Sequence, residues 1–240
     1  MTPENLQAVL KSAEGSPDVV LVGGQAIVVW TSYYNHASEF QPPADPVTTK
    51  DVDFYGSSRQ ALAIARLVNG TVRIPQTDDA TPSSAVIDLG TTSDEDERID
   101  FLDHVQGAGD KAVSAAAIPL NFEMHGPDGP CMIRVRVMHP FHCLKSKLSN
   151  KSVLGRNTAT ANAQLEATST ILREFIDDMI SQGQDEGEGA KICTKIATDT
   201  VKELGSFLER DIVGRDAHLN MQHDPLESPI QKLLSNTSML

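Results

Sequence analysis

Hydrophobic periodicity changes character at Pro140, and this break constrains the fold of the 240-residue chain more than any other feature. Before it, short apolar runs alternate with helical patterns and are punctuated by Gly and Pro. After it, apolar residues recur only at helical spacing. Residues 18–22, 51–55, 71–74, 85–89, 98–105, 121–125 and 131–138 read as strands. The last two flank Gly126-Pro127-Asp128-Gly129-Pro130, the signature of a hairpin with a longer turn. Helical patterns cover 4–13, 25–34 and 58–68, with a turn or two at 112–117. For the helix over 58–68, Ser57 or Ser58 is the N-cap, Leu62, Ala65, Leu67 and Val68 form the apolar stripe, and Gly70 is the stop. Beyond the break, helices are expected over 140–150, 158–182 and 190–213, with a short one near 228–235. The apolar stripe of the second is Leu165, Leu172, Phe175, Ile176, Met179 and Ile180; that of the third is Ile192, Ile196, Leu204, Phe207, Leu208 and Ile212. The pattern predicts an α+β fold: a mixed α/β domain over 1–138 followed by a helical domain over 139–240.

Charge narrows the partners. With 33 acidic against 20 basic residues the chain carries a formal −13, so general binding to long nucleic acid is disfavoured. Much of the acid sits in Asp94-Glu95-Asp96-Glu97 and in Asp185, Glu186 and Glu188, both of which read as solvated loops. No apolar run approaches the roughly 20 residues that span a bilayer, so no membrane partner is expected. The first residues show no basic and apolar leader pattern, and the three cysteines are odd in number without close pairing. A reducing, cytoplasmic location is expected.

The candidate chemistry lies between residues 21 and 54. An apolar strand runs into Gly23-Gly24, and a diglycine turn at a helix start can offer backbone N–H groups to phosphate oxygens. The helix that follows holds Ala26, Ile27, Val28, Val29 and Trp30, apolar nearly all round, which predicts a buried helix with Trp30 in the core. Asp51 and Asp53, at i and i+2 of a strand, face the same side and can share divalent ions. A third carboxylate is expected from Asp100. Asp103 would face the opposite side, and Asp88 stays open as a neighbouring-strand candidate. Arg134, Arg136, Lys145, Lys147 and Lys151 fall within 18 residues and form a candidate cationic wall. His139, His142 and Cys143 match no closed zinc spacing and read as packing at a helix entry.

These residues resemble a known family. Val22-Gly23-Gly24-Gln25-Ala26 followed by Thr49-Lys50-Asp51-Val52-Asp53-Phe54 is similar to the motif set of the DNA-polymerase-β-like nucleotidyltransferase superfamily, in particular the AbiEii-type bacterial toxin nucleotidyltransferases. Asp100 matches the place of the family's third acid. His139-Pro140 through Leu144, Lys145, Lys147 and Leu148 resembles its proline-led Leu-x-x-Lys-Leu helix. Gln25 stands where many members carry serine, and the 26 residues between Gly24 and Asp51 exceed the shorter spacing of the pattern. The resemblance covers roughly residues 18–150. It implies a polymerase-β-like mixed sheet with flanking helices and a C-terminal helical bundle. It also implies a nucleoside triphosphate (NTP) as substrate and two Mg²⁺ ions on Asp51, Asp53 and Asp100, with Gly23, Gly24 and Gln25 at the triphosphate and Lys147, with Lys145, neutralising phosphate. The implied activity moves NMP to an acceptor hydroxyl, a tRNA 3′ end or a protein, in a toxin–antitoxin setting with a cognate antitoxin. Two other outcomes stay open: transfer to a cationic aminoglycoside-like small molecule, and nucleotide binding without catalysis.

Overall fold

In the structure, a computed structural model, residues 1–14, 16–35, 51–76, 78–79, 81–90, 97–126, 129–185 and 187–207 are described. The proline-rich stretch over residues 36–50 lies outside them, as do residues 94–96 of the acidic run and Glu186. The end of the helix expected over 190–213, with Leu208 and Ile212, and the short one near 228–235 also lie outside. The described residues form an α+β fold in which seven helices surround one mixed seven-stranded sheet. The first half runs α1 (Pro3–Ala13), β1 (Val20–Val22), α2 (Gly23–Tyr34), β2 (Val52–Tyr55), α3 (Ser58–Leu67), β3 (Thr71–Arg73), β4 (Ser83–Asp88) and β5 (Arg98–Leu102). There follow α4 (Asp110–Ala116), the hairpin β6 (Ile118–Gly126) and β7 (Gly129–Val137), and then α5 (Pro140–Leu154), α6 (Ala159–Gln182) and α7 (Glu188–Phe207).

Strand order is β3-β4-β5-β2-β1-β7-β6. The pairs β2/β5 and β1/β7 are parallel and the others antiparallel. Side chains alternate across a strand, so β2 and β5 bury Val52, Phe54, Ile99 and Phe101 on one face and present Asp53, Tyr55, Asp100 and Leu102 on the other. The parallel register sets Asp53 beside Asp100. Helix α2 is buried along most of its length, as its all-round apolar character predicts. Trp30 is enclosed in the core, and its indole N–H donates to the Met138 carbonyl at 2.9 Å.

Four expectations are corrected. In α3 the buried residues are Ala61, Ile64 and Ala65, whereas Leu62 and Leu67 are exposed, because the face turned to the sheet follows the spacing 61, 64, 65, 68. The left-handed residue ending that helix is Asn69 (φ 54°), not Gly70. Gly70 serves close approach, since a Cβ there would lie 2.5 Å from Ile87 and 3.1 Å from the Asp88 carbonyl. Glu97, expected in a solvated loop, is buried. Its carboxylate accepts hydrogen bonds from the Thr2 N–H at 2.6 Å and from Asn5 Nδ2 at 2.5 Å, holding the start of α1. Ile192 of α7 is also exposed, outside its helix's packed stripe.

The helical half does not stand apart from the sheet. Ala167, Ile171 and Phe175 of α6 and Cys143 of α5 join the core cluster built on the sheet, while Phe141, Leu144, Leu148, Leu165, Leu172, Ile176, Leu204 and Phe207 form a second cluster among α5, α6 and α7. A Gln106–Ser149 side-chain hydrogen bond of 3.1 Å ties the loop after β5 to α5. The two contacts fix where α5 stands over the sheet.

Candidate active site

The site begins at a tight bend between β1 and α2. Gly23 adopts φ +66°, a left-handed conformation that glycine takes without steric cost. A Cβ at Gly23 would lie 2.0 Å from Oδ2 of Asp53, so only glycine lets that carboxylate come against the bend. Helix α2 starts here with no acidic residue in its first turn and no side-chain cap, leaving its N-terminal amides on the same side as Asp53. Gly24 and Gln25 follow in that first turn, and Gln25 is buried.

The carboxylates come from two adjacent strands. Asp53 and Asp100 are register partners on neighbouring parallel strands, whose spacing is about 4.8 Å. Asp51 precedes β2 in a bend, exposed, yet its charge is felt at both of the others. Burial, then Asp100, pushes the Asp53 carboxyl up to about 6, against the opposing pull of Lys147. Asp100 is raised as well, first by burial and then by Asp51; a hydrogen bond from Ser83 Oγ at 3.4 Å, with Arg98 and Arg73, works the other way. Crowded carboxylates with raised proton affinity are what a bound divalent ion would relieve.

Cationic groups approach from two sides. Lys147 of α5 acts electrostatically on Asp53; burial pulls its ammonium below the usual lysine range, and Cys143 and then the Asp53 carboxylate oppose that shift. It donates to Gln164 Oε1 of α6 at 2.7 Å. Arg156, just past the end of α5, also acts on Asp53, while Arg73 and Arg98 act on Asp100 from β3 and β5. Sequence reasoning missed Arg156, Arg73 and Gln164. Nothing in their local patterns marks them, because only the packing of α5 on α6 and the β3-β4-β5 order brings them in.

The expected five-residue cationic wall is not what is found. Lys145, two positions from Lys147, points away from the acids, with Nζ 5.3 Å from the Phe141 ring centroid and 5.8 Å from that of Phe207. Successive helical positions differ by about 100°, so the two lysines lie on nearly opposite sides. Arg136 donates to the carbonyls of Pro17 and Ser114, and Arg134 is exposed on the outer hairpin. Asp88 is exposed at the end of β4, where its carboxylate accepts from the Gly90 N–H at 2.9 Å; Asp103, exposed beyond β5, is likewise no part of the group. His139 and His142 pack against each other, and His139 against Phe175, as helix-entry residues do.

Among the described residues no group of three or more His, Cys, Asp or Glu side chains is placed to hold a metal ion, so Asp51, Asp53 and Asp100 do not form the three-carboxylate set expected from the sequence. The facing pair Asp53 and Asp100, with Asp51 at the rim, is a hard oxygen donor set. Magnesium is commonly held through one or two carboxylates together with water and substrate phosphates rather than by an all-protein cage, and these residues fit that arrangement. No helix among the described residues is long and apolar enough to cross a membrane.

No family model matches the chain, and no curated protein matches it in sequence. Among solved structures, the crystal structure of JHP933 from Helicobacter pylori aligns at 12% identity over 85% of this chain and 93% of that one, with a TM-score of 0.36. A likeness that loose carries no argument about fold or function.

Proposed function

We propose that this chain is a magnesium-dependent nucleotidyltransferase of the polymerase-β-like kind, moving NMP from an NTP to an acceptor hydroxyl. The observation that carries the proposal is the juxtaposition of Asp53 and Asp100 across β2 and β5, against a bend that only glycine permits. Asp53 and Asp100, with Asp51, would hold magnesium, which supplies charge neutralisation at the triphosphate and at the attacking oxygen. The amides of Gly23, Gly24 and Gln25 at the start of α2 bind phosphate oxygens. Lys147, steadied by Gln164, places one positive charge on the opposite wall of the cleft, and Arg156 adds a second. Lys145 is engaged with aromatic rings and has no phosphate role in this reading. A polar acceptor such as a tRNA 3′ end or a protein hydroxyl, in a toxin–antitoxin setting, is the class the sequence resemblance favours. The −13 net charge restricts any RNA contact to the local cationic groups.

A second reading, nucleotide binding without transfer, is favoured by the exposed position of Asp51 outside β2 and by the lack, among the described residues, of three acidic, His or Cys side chains placed to hold a metal ion. One experiment separates the two. Wild-type protein is incubated with labelled NTPs, magnesium and RNA or protein acceptors beside the Asp53→Ala and Asp100→Asn variants, and NTP binding is measured in parallel. Transfer by wild type, reduced at least about a hundredfold in each variant, supports the transferase. Binding by wild type with no transfer to any acceptor supports the second reading. Transfer undiminished in both variants overturns the site.

A further inference from the structure

The strand order leaves two sheet edges, β3 at one end and β6 at the other. An edge carries backbone N–H and C=O groups turned away from the ladder, and proteins guard such edges by shortness, charge, proline or bulges. β3 is guarded: it has three residues and ends on the exposed Arg73. β6 is open by comparison. It runs for nine residues without a lysine or arginine and pairs with β7 in unbroken register, from Ile118↔Val137 to Gly126↔Gly129. Its guards are Pro119 near the start and the single charge of Glu123. We propose that the outer edge of β6 pairs with the same edge of a second copy of this chain, antiparallel about a two-fold axis at Phe122, so that one sheet runs through two molecules.

Three positions fix which backbone groups face out. The Arg134 N–H donates to Glu14 Oε1 at 2.7 Å rather than to β6, so Arg134 and its register partner Asn121 are not a hydrogen-bonded pair. Pro130 and Pro119 have no N–H to give, and they fall at the same parity, opposite His125 and Arg136. Asn121, Glu123 and His125 therefore turn their N–H and C=O groups to the open edge, whereas Leu120, Phe122 and Met124 bond to β7. Among the described residues only β7 and α1 pack broadly against β6, β7 along its inner edge and α1 over the apolar face.

The strand is complementary to itself. Centred on Phe122, all nine residues overlap. Asn121 then meets Glu123 of the second copy, Leu120 meets Met124, and Phe122 meets its own twin as a non-hydrogen-bonded pair, the closer of the two pair types. Moving the axis to Glu123 would set two carboxylates directly opposite each other, and moving it to Asn121 would shorten the overlap. Arg134, the β7 neighbour of Asn121, comes to lie two strand spacings, about 10 Å, from Glu123 of the second copy, within reach of the two long side chains. Asn121 and Glu123 are exposed on one face, while Leu120 is buried and Phe122 and Met124 half-buried on the other, so pairing extends the apolar face. The two β7 strands would stand about 14 Å apart, which leaves room for α1 of each molecule over its own hairpin, since packed helices need about 8–10 Å.

The test is sedimentation of the full chain from micromolar to near-millimolar concentration, with amide hydrogen exchange read residue by residue at both ends of that range. Salt is held at about 0.15 M, where repulsion between two chains of net charge −13 is largely screened. The mass is expected to rise towards twice that of one chain. Exchange at Asn121 and Glu123 is expected to slow at least about tenfold with concentration, and that at Leu120, Phe122 and Met124, already bonded to β7, to slow less. Asn121→Pro removes one outward N–H at a parity where the strand already holds Pro119. It is expected to keep the far-UV circular dichroism of wild type and to weaken the dimer at least about tenfold. If that variant fails to fold, the exchange pattern of wild type decides. A chain that stays monomeric throughout, a dimer without concentration-dependent slowing at Asn121 and Glu123, or a dimer undiminished in folded Asn121→Pro would each overturn the proposal.

Discussion

At the scale of single residues, Asp53 carries the site's tension and makes it measurable. An unfolded carboxyl titrates near pH 3.9, whereas burial and the neighbouring acids hold that of Asp53 up to about 6. Between those values the folded chain keeps a proton that the unfolded chain has lost. The stability contributed by that proton is therefore complete below about pH 4 and is lost as pH rises through about 6. At neutral pH the ionised carboxylate costs on the order of 2–3 kcal/mol. Asp53→Asn is expected to raise the melting temperature at pH 7.5 and to lose that advantage by about pH 4.5. Magnesium should raise the melting temperature of wild type but not of the variant. Thermal scans at both pH values check this, and an equal effect of the substitution at the two would refute it. Asp53 and Asp100 were each legible as acids within strand-like segments, but their pairing across β2 and β5 is a matter of register, and Asp51, expected to share the strand of Asp53, lies in a bend before it. The choice between Lys145 and Lys147 was not legible. Phe141, His142, Cys143, Leu144 and Leu148 are all buried, so α5 is enclosed on most sides and its pattern shows no preferred face.

At the scale of elements, existence and order were readable while orientation often was not. Among the described residues, seven strands and seven helices fall where alternating and helical patterns occur, but the buried face of α3 depends on what it meets on the sheet. Glu97 shows the same limit. A fourth consecutive acid looks like part of a solvated run, and only tertiary packing turns it into a cap for a helix that begins more than ninety residues earlier. Its two donors, the Thr2 N–H and Asn5 Nδ2, would lose their acceptor in Glu97→Ala. Thr2 is exposed and Asn5 half-buried, so water takes up part of what is lost and each bond is worth about 0.5–1.5 kcal/mol; the variant is expected to unfold at lower denaturant and to speed hydrogen exchange across residues 3–13. Glu97→Gln keeps an acceptor oxygen and should recover part of the loss. Unchanged protection of α1 in the alanine variant would show that the helix does not depend on this carboxylate.

At the scale of the whole molecule, the change of pattern at Pro140 marks a change of architecture but not a seam in the core. Phe175 of α6 meets the Trp30 ring edge-on at 5.8 Å and the His139 ring at 4.7 Å, while the Trp30 indole binds the Met138 carbonyl at the expected boundary. Side chains from both sides of residue 138 thus fill one cluster, and the position from which Lys147 acts on the charge of Asp53 follows from that shared packing. Such a chain should lose its helical half and its sheet together. Phe175→Ala removes a buried ring from the junction and is expected to cost about 3–5 kcal/mol. Trp30 is the single tryptophan, so its fluorescence reports the junction while far-UV circular dichroism reports all the helices. Coincident transitions by the two signals, shifted together in Phe175→Ala, are expected for one cooperative unit. If the fluorescence transition moved alone while the helical signal kept its wild-type midpoint, the two halves would be independent, and α5 could not be relied on to hold Lys147 over the carboxylates.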